Sequence, residues 1–250
     1  MQKSTFIVGN WKMNKTLAEA KEFISALTRH TVPSHTQVAL AVSHTLIAEA
    51  AKIAAKTNVA IGSQDVSCFS AGAYSGDVSA MQVNDAGGSF TLIGHSERRL
   101  YHYEDDQSIN QKLHMAMAAN LSAIICVGES WQVKEEGQTQ DLLDRQIQGA
   151  LKDITKDQMT HISFAYEPIW AIGTGRTPTP LQIQTAQNDI RNTVKRLYEP
   201  DISCDLKILY GGSVKAVNAF EIISQKDVNG LLVGGASLVF EEFKNILTAK

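Results

Sequence analysis

The sequence predicts an α/β fold, a closed (β/α)8 barrel forming a single domain over residues 1–250. Three observations predict it. Eight short apolar runs rich in β-branched residues recur along the chain. Segments of helical period lie between them. No Pro/Gly/Ser-rich linker or shift in composition divides the 250 residues, an ordinary length for one such barrel. An open doubly wound sheet has the same alternation of strand and helix, but the count of eight and the undivided chain favour closure.

The runs occupy residues 5–8, 38–42, 59–61, 90–93, 123–127, 162–166, 206–210 and 231–233. Most are continuously apolar rather than alternating, as strands buried on both faces of a parallel sheet must be. Between them, Leu17, Ala20, Ile24 and Leu27 form one helical stripe, and Leu46, Ala50, Ile53 and Ala54 a second. A third joins Ile183, Ala186, Ile190, Val194 and Leu197. This third helix has a start signal: Thr179 as cap, Pro180 in the first turn and Gln182 to complete a capping box.

Composition narrows the function. A net charge of −3 argues against a nucleic-acid module, which carries a basic face. No uninterrupted apolar run approaches ~20 residues, so no membrane span is expected. The apolar stretch after Met1 is too short for a targeting core. Cys68, Cys126 and Cys204 are odd in number and far apart, which suits a reducing, cytoplasmic setting without disulfides or zinc spacing. In that setting the Asn14-Lys15-Thr16 and Asn120-Leu121-Ser122 sequons are chance matches.

In a parallel α/β fold, chemistry collects where strands end. Strand one ends in Gly9-Asn10-Trp11-Lys12-Met13-Asn14, where Lys12 is a candidate cation for an anionic substrate. Strand four ends in Gly94-His95-Ser96-Glu97-Arg98-Arg99, which places His95 for proton transfer or for polarising a carbonyl. The same run begins like a nucleophile elbow, but Arg98 stands where a second glycine is needed, so a serine hydrolase becomes a minor alternative. Strand six ends in Tyr166-Glu167-Pro168-Ile169-Trp170, with Glu167 a candidate general base. The following loop is bounded by Pro168 and Pro178 and has an apolar middle with two glycines, as a lid requires. Strands seven and eight end in Tyr210-Gly211-Gly212-Ser213 and Gly234-Gly235-Ala236-Ser237, where glycines let backbone N–H groups approach a phosphate. Neither a nucleotide-binding glycine motif nor a metal-ligand cluster is present, so no cofactor and no metal are expected.

Together with Gly230-Leu231-Leu232-Val233-Gly234-Gly235-Ala236-Ser237-Leu238, these motifs, in their order and spacing, resemble the triosephosphate isomerase family over the whole chain. The resemblance implies a TIM barrel that interconverts dihydroxyacetone phosphate and D-glyceraldehyde 3-phosphate in glycolysis and gluconeogenesis. It implies Glu167 as base, His95 as electrophile, Lys12 as the cation for phosphate and developing charge, and Asn10 as a polar contact. Ser96 and Glu97 would support them from behind. Gly173, Ser213, Gly234 and Gly235 would grip the phosphate, with Tyr210 and Ser213 latching the closed lid. Arg191 and Asp227 match an architectural ion pair, and Cys126 a buried position behind the site. The run Ala71-Gly72-Ala73-Tyr74-Ser75-Gly76-Asp77 resembles the loop that enters a neighbouring subunit, which implies a homodimer.

The chain departs from the family pattern at four places. Arg176-Thr177-Pro178 stands at the lid's far hinge where Lys-Thr-Ala is common, and Pro178 fixes φ and lacks an N–H, so altered lid opening is expected. Ser75 and Asp77 are shorter than the usual Thr and Glu, so weaker dimerisation is expected. Asn229 replaces a common Asp, with no effect assigned from sequence. Two other classes stay open. A Schiff-base aldolase would use Lys12 as nucleophile. A non-catalytic phosphate binder would be expected to have lost Glu167 or His95.

Overall fold

Apolar strands need cover on both faces, and a ring of helices around a closed sheet provides it. The computed structural model, which describes residues 3–172 and 176–249, contains eight strands. They are β1 Thr5–Asn10, β2 Thr36–Val42, β3 Val59–Ser63, β4 Phe90–Ile93, β5 Ser122–Val127, β6 Ile162–Tyr166, β7 Lys207–Tyr210 and β8 Gly230–Val233. All pair in parallel, in sequence order, and β8 closes on β1 with Phe6 beside Gly230. The predicted single-domain (β/α)8 barrel is therefore the fold. Each predicted run coincides with a strand, except that Leu206 falls just before β7. The differences are at the ends: β1 continues to Asn10 and β3 to Ser63, so polar residues finish both.

Strand periodicity sorts the apolar residues into two layers. Val8, Ala39, Leu92, Ile124, Ala165, Leu209 and Leu232 belong to a cluster inside the barrel, and Cys126 joins them. Ile7, Leu40, Ile93, Ile125, Phe164, Ile208 and Leu231 pack outward against the helices. Those helices are α1 Leu17–Arg29, α2 Ile47–Ala54, α3 Ala80–Asp85, α4 Ser96–Tyr101, α5 Asp106–Ala118, α6 Trp131–Glu135, α7 Thr139–Ala150, α8 Pro180–Leu197, α9 Pro200–Asp205, α10 Ala216–Ile223 and α11 Phe240–Leu247. Helix α8 starts as its sequence predicts. The Thr179 side chain accepts from the Gln182 N–H, and the capping box is complete. The α1 stripe needs one correction: Leu17 is half exposed in the first turn, and Phe23 takes the buried place with an edge-on contact to Trp11.

The Arg191–Asp227 pair is architectural, with Nε 2.6 Å from Oδ1. It also accounts for Asn229. The Asn229 Oδ1 accepts from Arg191 Nη2 at 2.9 Å and from the Ile208 N–H at 3.1 Å. A neutral amide oxygen meets both donors, so a carboxylate is not required there.

Candidate active site at the carboxyl mouth of the barrel

The end of β1 is fixed from several sides. Asn10 is buried and its Oδ1 accepts from the Lys12 N–H at 3.0 Å. Lys12 has φ of 50°, a left-handed conformation uncommon for a lysine. Its carbonyl is held at 2.8 Å by Gln64 Nε2 from beyond β3, and Ser43 Oγ reaches it at 3.4 Å. Trp11 is fully buried and donates from Nε1 to the Ser237 carbonyl at 3.1 Å, tying strand one to the turn after β8. The side chain of Lys12 then passes beside Gly234, and its ammonium meets Glu97 Oε1 at 2.6 Å.

Strand β4 gives way at Gly94 to His95, which caps α4. The His95 Nδ1 accepts from the Glu97 N–H at 3.2 Å. That bond requires a bare Nδ1, so in the neutral ring the proton sits on Nε2. The Nε2 lies 2.9 Å from Glu167 Oε1, and the Ser96 N–H donates to Glu167 Oε2 at 2.9 Å. Helix α4 is anchored behind this by Arg99, which bonds the Gly94 carbonyl at 3.1 Å and pairs with Asp106 at 2.8 Å.

Glu167 follows β6 directly, and its N–H donates to the Val127 carbonyl at 2.8 Å, extending the ladder by one residue. The neighbouring turn leaves no slack. A Cβ on Gly128 would lie 1.8 Å from the Glu167 carbonyl oxygen. Gly128→Ala is therefore expected to push this backbone away. Overpacking of this kind costs about 2–3 kcal/mol, a fall in Tm of roughly 5–10 °C at this chain length. Moving the carboxylate by ~1 Å would also lower kcat about 100-fold. Calorimetry and steady-state kinetics on the one variant check both effects.

These groups share one cavity of about 280 Å³. Asn10, Lys12, His95 and Glu167 line it together with Ser213, Gly234 and Gly235. Of the residues expected at the site, Gly173 lies outside the described residues. Tyr210 is fully buried below the mouth, and its hydroxyl has no partner among the described residues. A larger hollow, about 870 Å³, opens at the opposite mouth beside Gln37, Ser163 and Lys207 and holds none of these groups.

Glu129 is a buried carboxylate that sequence patterning did not single out. It accepts from Tyr166 Oη at 2.9 Å and from Trp170 Nε1 at 2.7 Å, and burial pushes its pKa up. Gln64 and Ser43 were likewise missed. For Glu129 there was a usable signal, since it is a carboxylate just past the end of a barrel strand.

The titration of the central pair has a clear sense. Burial raises the Glu167 pKa, but His95, the Ser96 N–H and Lys12 pull harder, and the net shift is downward. Burial lowers the His95 pKa, but the adjacent Glu167 carboxylate outweighs it, and the net shift is upward. A depressed Glu167 stabilises the fold above its ordinary value of 4.5 and loses that contribution as pH falls. A raised His95 contributes below its ordinary value of 6.5 and loses that contribution as pH rises through its folded value. The difference in Tm between wild type and His95→Gln, measured without ligand, is therefore expected to be level from pH 4.5 to 6.5. It should shrink on either side, and a difference independent of pH would contradict the pairing.

A closed eightfold barrel with a carboxylate, an imidazole and an ammonium converging beside open glycine turns defines an enzyme of the proton-transferring isomerase class. The family model for triosephosphate isomerase matches residues 5–250. The proteins named triosephosphate isomerase from Alkaliphilus oremlandii and Trichlorobacter lovleyi are similar to it. The first is 40% identical over 96% of this chain and 97% of its own length. The second is 42% identical over 99% of each chain. The protein of the same name from Geotalea uraniireducens is 41% identical over 96% of each. The chain belongs to the triosephosphate isomerase family.

Proposed function

We propose that the chain interconverts dihydroxyacetone phosphate and D-glyceraldehyde 3-phosphate as an intramolecular aldose–ketose isomerase, with residues 1–250 as one catalytic domain. The observation that carries this reading is the convergence of Glu167, His95 and Lys12 in one small cavity. The Glu167 carboxylate takes a proton from the carbon beside the carbonyl. The C–H pair becomes the enediolate double bond, and the carbonyl π pair moves onto oxygen. His95 Nε2–H and the Lys12 ammonium face that charge, with Asn10 as a further polar contact. Protonation at the neighbouring carbon by Glu167 completes the exchange, as a proton passes between the two oxygens.

The resting geometry supports a re-tuning on binding. To reach substrate, Glu167 must leave His95 and the Ser96 N–H, the partners that hold its pKa low. Burial then dominates and makes the carboxylate a better base. His95 loses the carboxylate that raises its pKa most, while burial and Lys12 act downward against the smaller upward pull of Glu97. The ring is then neutral and donates from Nε2.

Ser213, Gly234, Gly235 and Gly173 grip the phosphate, and residues 168–178 close over it as a lid, which keeps water from an enediolate prone to eject phosphate. Tyr210 and Ser213 latch it closed, and Pro178, buried at the far hinge, alters the opening rate. Ser96 and Glu97 act from behind, Glu97 through its 2.6 Å contact with Lys12. The same contact disfavours the aldolase alternative, because an ammonium paired with a carboxylate is a poor amine nucleophile. A coupled assay in both directions tests the reaction, and a wild-type rate at background would overturn it.

The homodimer is supported by the exposed loop at residues 71–77. Tyr74 is stacked on Phe69 at 3.8 Å, and Asp77 accepts from Ser67 Oγ at 2.6 Å, so the loop presents a preset shape. Exposed Met13 and Tyr101 flank a cavity of about 340 Å³ beside Lys12 and Glu97, a seat for the loop of a second copy. With Ser75 and Asp77 short, dissociation in the micromolar range is expected on dilution in analytical ultracentrifugation, and a dimer intact at nanomolar concentration would contradict it. No helix among the described residues is long and apolar enough to cross a membrane. A cytoplasmic location is part of the proposal.

A further inference from the structure

A buried side-chain amide stands where a strand would otherwise be. Ile93, the last residue of β4, pairs with Ile125, and the chain of β5 runs on past it through Val127 to Gly128. On the β6 side this extension stays bonded. The Val127 carbonyl accepts from the Glu167 N–H at 2.8 Å, and the Glu129 carbonyl from the Ile169 N–H at 3.1 Å. Alternation along a strand turns the N–H and carbonyl of Gly128 the other way. On that side β4 has already ended, and the chain has turned into α4.

Gln146, on the buried face of α7 and 6% exposed, fills the gap. Its Oε1 accepts from the Gly128 N–H at 2.9 Å, and its Nε2 donates to the Gly128 carbonyl at 3.3 Å. One planar amide thus meets both backbone groups of one residue, as a neighbouring strand would. An apolar side chain of the same length would leave both groups buried and unpaired.

The effect reaches Glu167. A Cβ on Gly128 would lie 1.8 Å from the Glu167 carbonyl oxygen and 2.7 Å from its carbonyl carbon, so the two backbones are in contact. Glu167 rests on Gly128, and Gly128 rests on Gln146. The carboxylate carried by that backbone meets His95 Nε2 and the Ser96 N–H at 2.9 Å each. Neither Gln146 nor Gly128 lines the cavity that holds Glu167 and His95.

We propose that Gln146 is a positioning residue for Glu167, and that its amide holds the Gly128 backbone as the support that sets where the carboxylate stands. It touches no substrate and acts through Gly128 alone. The inference rests on the reading of Glu167 as the base.

Gln146→Met keeps the length of the side chain and removes both bonds. A shift of a few tenths of an ångström at Glu167 is expected to lower kcat about 10-fold, with KM within about twofold. In the free enzyme, burial raises the Glu167 pKa and the His95 and Ser96 contacts pull it below its ordinary value. Looser contacts let it rise, so the acid limb of kcat/KM should move to higher pH. Gln146→Asn keeps a buried amide but draws it back from Gly128, and should move kcat and the limb in the same sense. It decides the matter if the Met variant does not fold. Leu143→Ala, a cavity on the same buried face of α7, should lower Tm and leave kcat and the limb as in wild type. In a Glu167→Gln background, Gln146→Met should lower kcat no further.

Wild-type kcat and an unmoved limb in the folded Gln146 variants would overturn the proposal. So would the same changes in Leu143→Ala, or a full 10-fold loss on top of Glu167→Gln. The reading of Glu167 as base has its own readout. If Glu167→Gln turns over like wild type, that reading falls and the proposal with it. If Glu167→Gln is inactive and the Gln146 variants match wild type, only the positioning role falls.

Discussion

Glu167→Gln is expected to fold as the wild-type barrel does and to lose isomerisation by about 10²–10⁴-fold in kcat. An amide matches the shape of the carboxylate and can still accept from the Ser96 N–H, which now lies 2.9 Å from Oε2. It cannot take a proton from carbon. The phosphate contacts proposed for Ser213, Gly234 and Gly235 are untouched, so KM should stay within a few-fold. Glu167→Asp separates basicity from position. It keeps the carboxylate and withdraws it by one methylene from a chain fixed at the Val127 ladder and at Gly128. A displacement near 1 Å costs about 100-fold. The Asp variant should therefore fall between wild type and Gln. Activity in Asp equal to wild type would show that the cavity does not hold the base rigidly.

His95→Gln carries the second large effect. The imidazole presents one N–H into the cavity because its other nitrogen is occupied by the Glu97 N–H. Loss of one preorganised donor to a developing oxyanion lowers kcat by about 10²–10³-fold. A glutamine amide can donate, but it has no ring held at the cap and no second nitrogen to pass a proton between substrate oxygens. Removal of the imidazole also takes away the strongest influence holding the Glu167 pKa low after burial. In the free enzyme, the acid limb of kcat/KM should accordingly move to higher pH in His95→Gln. An unmoved acid limb would contradict the His95–Glu167 coupling.

The fold was legible in the sequence because burial on both faces leaves a continuous apolar signature. Runs such as 123–127 could be located to within a residue. The first turn of α1 was less so. Leu17 fits the helical period as well as Phe23 does, and only the packing of Phe23 on Trp11 decides between them. At the site, Lys12, His95 and Glu167 were legible because each follows a strand end. The contacts that set their chemistry were not. Gln64 and Ser43 fix the Lys12 carbonyl from just past β3 and β2, far away in sequence, which no local pattern records. The direct His95–Glu167 contact spans 72 positions, so the resting pKa directions run opposite to those expected of the working base and electrophile. Glu129 joins Tyr166 and Trp170 across 37 and 41 positions for the same reason. Asn229 gained an explanation only when its two donors were seen together.

On the proposed mechanism, Glu167 moves a proton between adjacent carbons of a triose phosphate. Proton NMR of dihydroxyacetone phosphate in D2O tests it most directly, because a proton held on a protein carboxylate exchanges with solvent. With wild type, conversion to D-glyceraldehyde 3-phosphate and catalytic incorporation of deuterium at the carbon that receives the proton are expected. With Glu167→Gln, both should fall together by about 10²–10⁴-fold. Wild-type incorporation at the uncatalysed rate, or incorporation by Glu167→Gln at the wild-type rate, would rule out Glu167 as the base.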